Sequence, residues 1–485
     1  MYNNRLGGCS AIRMKGNAMS DEKKVKGPDA LTDAQRESLE RYTKSYMDYL
    51  GYAKTERRAY EKAVELLEAQ GFKEITSCPS LKAGDKVYRG YHGKTLMAAV
   101  VGKAPTATGL RVVGGHTDAP RLDLKPIPLY EKGGITFLDT HMYGGIKKFH
   151  WLVRPLALYG VVVKRDGTKV DFAIGDKPGD PAFLISDILP HLGREIEQKK
   201  VSEFYPAEDL DVIAATYPKA PYKDENGKEK EDGVKAALLD ILKSEYGIEE
   251  DDFLSAELEI VPAGMPREIG FDRSLIAGYG HDDRVCAYAG LYALLALGDE
   301  IPEKTAMVLL CDKEEIGSMG ATGMQSSFFE NSVAELIDRE GGDTRNIVVR
   351  RALEASSMLS ADVTAASDPH FQDLDSTNNS AKLHGGPAAS KYTGGASKSG
   401  SSDARAEFVA EVRRILDGAG VTWQMAELGK AEKGGGGTIA QYMARFGMRV
   451  LDMGTPLLNM HAQWELASKF DCWQTYCAYS AYLRS

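Results

Sequence analysis

Residues 109–118, GLRVVGGHTD, run a short β-branched stretch into two glycines and place His116 and Asp118 at its end. Residues 305–315, TAMVLLCDKEE, repeat the plan, with Glu314 and Glu315 after the apolar run. Runs of this kind predict strands buried on both faces, each delivering a polar loop at its end. A third run, SSMLSADVT (356–364), brings Asp362, and RVLDMGTPLLNM (449–460) leads to His461. Between them lie helical stretches. HDDRVCAYAGLYALLALGD (281–299) opens on Asp282 and Asp283, and SDARAEFVAEVRRILDGAG (402–420) closes on a glycine cap. Strands alternating with helices predict an α/β fold built on a mainly parallel sheet flanked by helices. Ligands in such sheets bind beyond the carboxyl ends of the strands, where these side chains would converge.

Outward from this core, residues 31–71 carry apolar side chains at three- and four-residue spacing and predict helix. The final helix is expected from HAQWELASKF (461–470) onward. Residues 125–266 differ in texture. LALYGVVVKRDGTKVDFAIGD (156–176) predicts a hairpin turning at Asp166-Gly167, and the charged segment YKDENGKEKEDGVK (222–235) a solvated loop. The expected organisation is a flexible leader over 1–30 and a discontinuous domain over 31–122 and 270–485. The insert, 123–269, is expected to be a mixed, β-rich second domain. The glycine run in KGGGGTIAQYMARFG (433–447) lacks the G-K-[ST] order of a phosphate-binding loop and is expected only to let backbone approach the site closely.

The chain of 485 residues is 43% hydrophobic, enough for a large core, and its 60 Lys and Arg against 70 Asp and Glu give a net charge of -10. That sign argues against a nucleic-acid binder. Nothing approaches the ~18 consecutive apolar residues of a membrane helix, and the N-terminus has no apolar signal core. Six scattered cysteines without a CxxC pair are expected to be reduced. The expected location is the cytoplasm.

Two histidines among several carboxylates suit a hydrolytic zinc-type site without thiolate. A pair of metals ~3.5–4 Å apart needs a bridging carboxylate. Adjacent glutamates then divide the work, one ligating while the other takes a proton from water. Each piece also has a plain reading. Asp282 and Asp283 could merely cap a helix, Glu314 and Glu315 could form a solvated turn, and either histidine could lie at the surface.

The stretches GGHTDAPRLDLKP (114–126), CDKEEIGSMGATG (311–323), LSADVTAASDP (359–369) and GGTIAQYMARFGMRVLDMGTPLLNMHAQWE (436–465) resemble motifs of the aspartyl aminopeptidase and vacuolar aminopeptidase I family. The resemblance runs from the leading helix to the C-terminus. It implies a dinuclear metallo-aminopeptidase acting on short peptides, with two divalent ions, zinc or alternatively cobalt or manganese. It further implies His116, Asp282, Glu315, Asp362 and His461 as metal ligands, Asp282 bridging, with Asp118 orienting His116 and Glu314 as general base. His191, in ILPHLGRE (188–195), resembles a histidine that reaches a neighbouring subunit's site. The implied assembly is a dimer-based homo-oligomer, a tetrahedral dodecamer. Many members have Leu-Asp-Asn where this chain has His281-Asp282-Asp283, so the bridging role could pass to Asp283. His384 and Lys391 fall in a segment resembling a substrate-contacting loop. An acidic N-terminal residue is the expected substrate, a neutral or leucine-preferring enzyme the alternative. A non-catalytic self-assembling shell is the expectation from another class.

Overall fold

Helix Asp33–Tyr52 starts where its sequence says it should. The Thr32 hydroxyl accepts the Gln35 N–H at 3.3 Å, and the Gln35 side chain accepts the Thr32 N–H at 2.9 Å. This reciprocal cap satisfies two N–H groups that no helical carbonyl can reach. The computed structural model describes residues 27–219, 223, 227–228, 233–376, 378–394 and 398–485. The expected leader and much of the charged 222–235 segment lie outside the described residues. The helical stretch over 31–71 is two helices: the first ends at Tyr52 and a second, Glu56–Ala69, begins under a Thr55 cap.

The chain divides into two compact units. The first comprises the chain up to Asp118, Pro266–Met460 and Trp464–Ser485. At its centre is a nine-stranded sheet whose middle four strands, Ala306–Cys311, Arg111–His116, Ser357–Ser360 and Arg449–Gly454, are parallel neighbours in that order. Antiparallel pairing begins at the flanks, with Thr95–Val100 against Ala306–Cys311 and Ala388–Ser390 against Arg449–Gly454.

The period of two along each strand divides its side chains between two cores. Val113, Val308, Leu310, Leu359 and Leu451 enter one, with the tyrosine-rich faces of helices Asp33–Tyr52, His281–Leu295 and Lys469–Arg484. Val112, Met307, Leu309, Met358 and Val450 enter the other, with Phe329, Leu336 and Leu353. Burial on both faces is why these strands read as unbroken apolar runs. Each fully buried side chain of this size contributes about 1.5–3 kcal/mol, so the four strand ends stand on a rigid base.

The expected start of the last helix is corrected. Glu465–Ser468 is a strand, pairing antiparallel with Leu275–Gly278, and the helix is Lys469–Arg484. Ser468 decides the boundary, because its hydroxyl accepts the Asp471 N–H at 3.3 Å and caps the helix there.

The second unit is Ala119–Met265 with His461–Gln463. Its six-stranded sheet is wholly antiparallel and includes the hairpin of Leu156–Val163 and Lys169–Ile174, turned at Gly167 with φ 87°. A separate apolar cluster fills it, including Trp151, Val162, Phe172 and Ile260. The five described cysteines are free, four of them buried. No described helix is long and apolar enough to cross a membrane.

Candidate metal centre

Parallel register brings the ends of the central strands level. His116 is opposite Cys311, and Gly114 opposite Ser360. His116 therefore ends its strand beside the loops that carry Glu314, Glu315 and Asp362. Its Nε2 lies 3.2 Å from Asp282 Oδ1, 3.9 Å from Glu314 Oε2 and 4.0 Å from Asp362 Oδ1. Ligand-capable atoms of His116, Asp282 and Glu315 lie within 4.8 Å of one another, as do those of His116, Glu314 and Asp362. One buried imidazole is thus common to two carboxylate groups.

Asp118, fully buried, organises this arrangement from behind. The His116 Nδ1 faces the Asp118 backbone carbonyl at 3.1 Å and its carboxylate at 3.3 Å. A carbonyl oxygen can only accept, so Nδ1 carries a proton, and Nε2 is the ring nitrogen turned toward the cluster. The same carboxylate accepts the Glu314 N–H on Oδ1 and the Glu315 N–H on Oδ2, each at 3.2 Å. Lys313 at φ 69° and Gly317 at φ 92° bracket the single turn Glu314–Ile316 that these bonds hold.

The two aspartates at residues 282 and 283 separate cleanly. Neither caps the helix His281–Leu295, whose first residues depart from helical geometry at both positions across a cis Asp282–Asp283 peptide bond. Asp282 joins the cluster. Asp283 is fully buried beneath the Arg111–His116 strand, its Oδ2 2.5 Å from where a Cβ on Gly115 would stand. That close approach is why the second glycine before His116 must lack a side chain.

Charge and burial pull strongly here. Burial works against a charged His116, but hydrogen bonds to Asp118 and Asp282 and the charge of Glu314 outweigh it and push its pKa well above the ordinary value. Burial, reinforced by Asp283, Glu314 and Asp282, holds Asp362 well above the usual carboxylate range, with His116 opposing. Burial also raises Asp283. Acids so crowded favour a compensating cation, and oxygen donors with one imidazole fit zinc chemistry.

His461 counts with the second unit, where its Nδ1 donates to the Gly145 carbonyl at 2.9 Å. His191 is exposed in the same unit, in a stretch without helix or strand. Lys391 is exposed in the first unit, whereas His384 is tied in through Ser468 Oγ at 2.9 Å and Asp471 at 2.8 Å. Sequence reading missed Glu465, which accepts the Asp282 N–H at 3.0 Å, because its stretch reads as helix. It also missed Arg284, buried and donating to the Thr117 and Lys54 carbonyls at 2.9 and 3.1 Å.

An imidazole–carboxylate cluster at the carboxyl ends of parallel strands defines the class: a metal-dependent hydrolase on an α/β scaffold. The chain belongs to the aminopeptidase I zinc metalloprotease family, M18, whose sequence model matches residues 49–483. It is 46% identical over 461 residues to a probable M18 family aminopeptidase 1 of Clostridium acetobutylicum, covering 94% of this chain and 97% of that one. The crystal structure of an M18 aminopeptidase from Thermotoga maritima superposes with a TM-score of 0.88 at 44% identity, over 93% of this chain and 97% of that one. The dodecameric mApe1 of S. cerevisiae shares the fold at 21% identity, with a TM-score of 0.73 over 91% and 96% of the two chains. The chain is accordingly a zinc metallo-aminopeptidase, and the non-catalytic expectation gives way.

Proposed function

We propose that this aminopeptidase removes the N-terminal residue from short peptides with two divalent ions and Glu314 as general base. The observation that carries the reading is the gathering of His116 Nε2 with carboxylates of Asp282, Glu314, Glu315 and Asp362. His116, Asp282, Glu315, Asp362 and His461 would hold the ions. When bound, such ions polarise the scissile carbonyl and acidify the attacking water.

Glu314 takes the proton of that water as its oxygen adds to the carbonyl carbon. It then returns the proton to the amine that leaves as the C–N bond breaks. Asp118 keeps the carboxylate in place through the Glu314 N–H. His191 is proposed to reach a neighbouring subunit's site and steady the developing oxyanion. That role requires at least a dimer; the further assembly to a tetrahedral dodecamer is what the family resemblance implies, and the dodecameric yeast relative is in keeping with a homo-oligomer.

The proposed preference is for Asp or Glu, with Lys391 supplying the opposite charge. Ile316 and Met319, exposed on the loop that carries Glu314, favour a second reading in which the N-terminal residue is neutral. Rates on Asp-, Glu- and Leu-anilides decide between them. Faster turnover of the acidic pair, lost in Lys391→Ala, supports the first; a leucine preference in the unaltered enzyme removes it.

A further inference from the structure

Asp282 is presented from backbone that has not yet become helix. Gly280 has φ 76°, and Asp282 and Asp283 sit at φ/ψ of -78°/106° and -115°/28° with no side-chain cap. Three contacts from outside the helix hold this bend. Arg284 anchors the turn that follows, and Glu465 takes the Asp282 N–H. The third comes from helix Asp33–Tyr52, where the Tyr46 phenolic oxygen lies 2.6 Å from His281 Nδ1, both side chains fully buried.

Tyr46 belongs to a buried group of tyrosines. Tyr42, Tyr46 and Tyr49 pack around Tyr288 with ring centroids 5.8, 5.6 and 4.8 Å away. Packing alone does not explain the hydroxyls. Those of Tyr42 and Tyr49 have no hydrogen-bond partner among the described residues, although an unpaired buried hydroxyl costs about 1–3 kcal/mol. The Tyr46 hydroxyl is directed at the residue immediately before the metal-ligand aspartate. Tyr46 also precedes residues 49–483, which the family model matches.

We propose that Tyr46 is a positioning residue for Asp282, acting through His281, so that the N-terminal helix sets the carboxylate of the metal centre. The proposal rests on Asp282 being a ligand. Ligands must be held within roughly 0.5 Å of productive geometry, and loss of an outer partner lowers metal affinity or activity by about 10–100-fold.

The test is zinc titration of the metal-stripped full chain, with kcat, KM and thermal unfolding measured on the same samples. Tyr46→Phe keeps the ring and removes only the hydroxyl. It is expected to weaken zinc binding at least about tenfold and to lower kcat at saturating zinc, with KM and Tm little changed. His281→Gln should act in the same direction. Tyr49→Phe, which removes an unpartnered hydroxyl from the same cluster, should leave zinc affinity and turnover as they are. Unchanged zinc affinity in both Tyr46→Phe and His281→Gln overturns the proposal, as does an equal loss in Tyr49→Phe. Absence of zinc binding by the unaltered chain would instead remove the ligand assignment on which it rests.

Discussion

The Asp118 carboxylate accepts the backbone N–H of Glu314 at 3.2 Å while its other oxygen holds Glu315. One side chain thereby orients the His116 imidazole and fixes the turn that carries both glutamates. Asn at this position could accept only one of the two amides and would turn its own N–H₂ toward the other. Asp118→Asn is expected to lower zinc affinity or kcat/KM by about 10–100-fold, read by metal titration and steady-state kinetics.

Glu314 has a different task from its neighbour, and the two substitutions should separate. Glu314→Gln is expected to reduce kcat by about 10²–10⁴-fold with metal content intact. Glu315→Gln should lose metal first and activity as a consequence. Metal analysis of both purified variants checks this, and near-normal turnover in Glu314→Gln would refute the base assignment.

A Cβ on Gly115 would stand 2.5 Å from Asp283 Oδ2 and 2.9 Å from the Ala361 carbonyl. Neither neighbour is the loose end of a flexible surface chain. Gly115→Ala should destabilise the fold by about 1–3 kcal/mol and weaken metal binding, because the strand end would have to shift. Denaturant unfolding with chelator present isolates the first effect.

Asp452 gives a pH test. Burial raises its pKa to about 6 from an ordinary 3.8, although the Thr438 hydroxyl donates to its Oδ1 at 2.6 Å. The native state then holds its proton more tightly than the unfolded chain does. Its effect on stability is absent below the unfolded pKa and grows as pH rises toward the folded one, where the native charge is buried. Asp452→Asn, which still accepts from Thr438, should gain stability over the unaltered protein between pH 4 and pH 8. The gain is on the order of 2–3 kcal/mol. Unfolding curves at both pH values in chelator measure it, and a constant difference would contradict the assignment.

Much of this site is legible in the amino-acid sequence, for a physical reason. Strands buried on both faces leave long apolar runs, so the residues that break those runs, such as His116 and Glu314, stand out. Glu465 is hidden because a four-residue strand followed at once by a helix has no readable period of its own. The separation of Asp282 from Asp283 is equally invisible, since it depends on the non-helical backbone at the helix head. Tyr46 looks like one more residue of an apolar helix face, and only the fold brings it to His281.

The central claim is that His116, Asp282, Glu315 and Asp362 serve two divalent ions in peptide hydrolysis. Its most direct test is zinc titration of metal-stripped protein, recording bound ions per chain and rates on Asp-, Glu- and Leu-anilides at every step. The account predicts no turnover in the stripped protein and full recovery as occupancy reaches two ions per chain. Turnover that persists without metal, or that saturates with no zinc bound at this cluster, would contradict it.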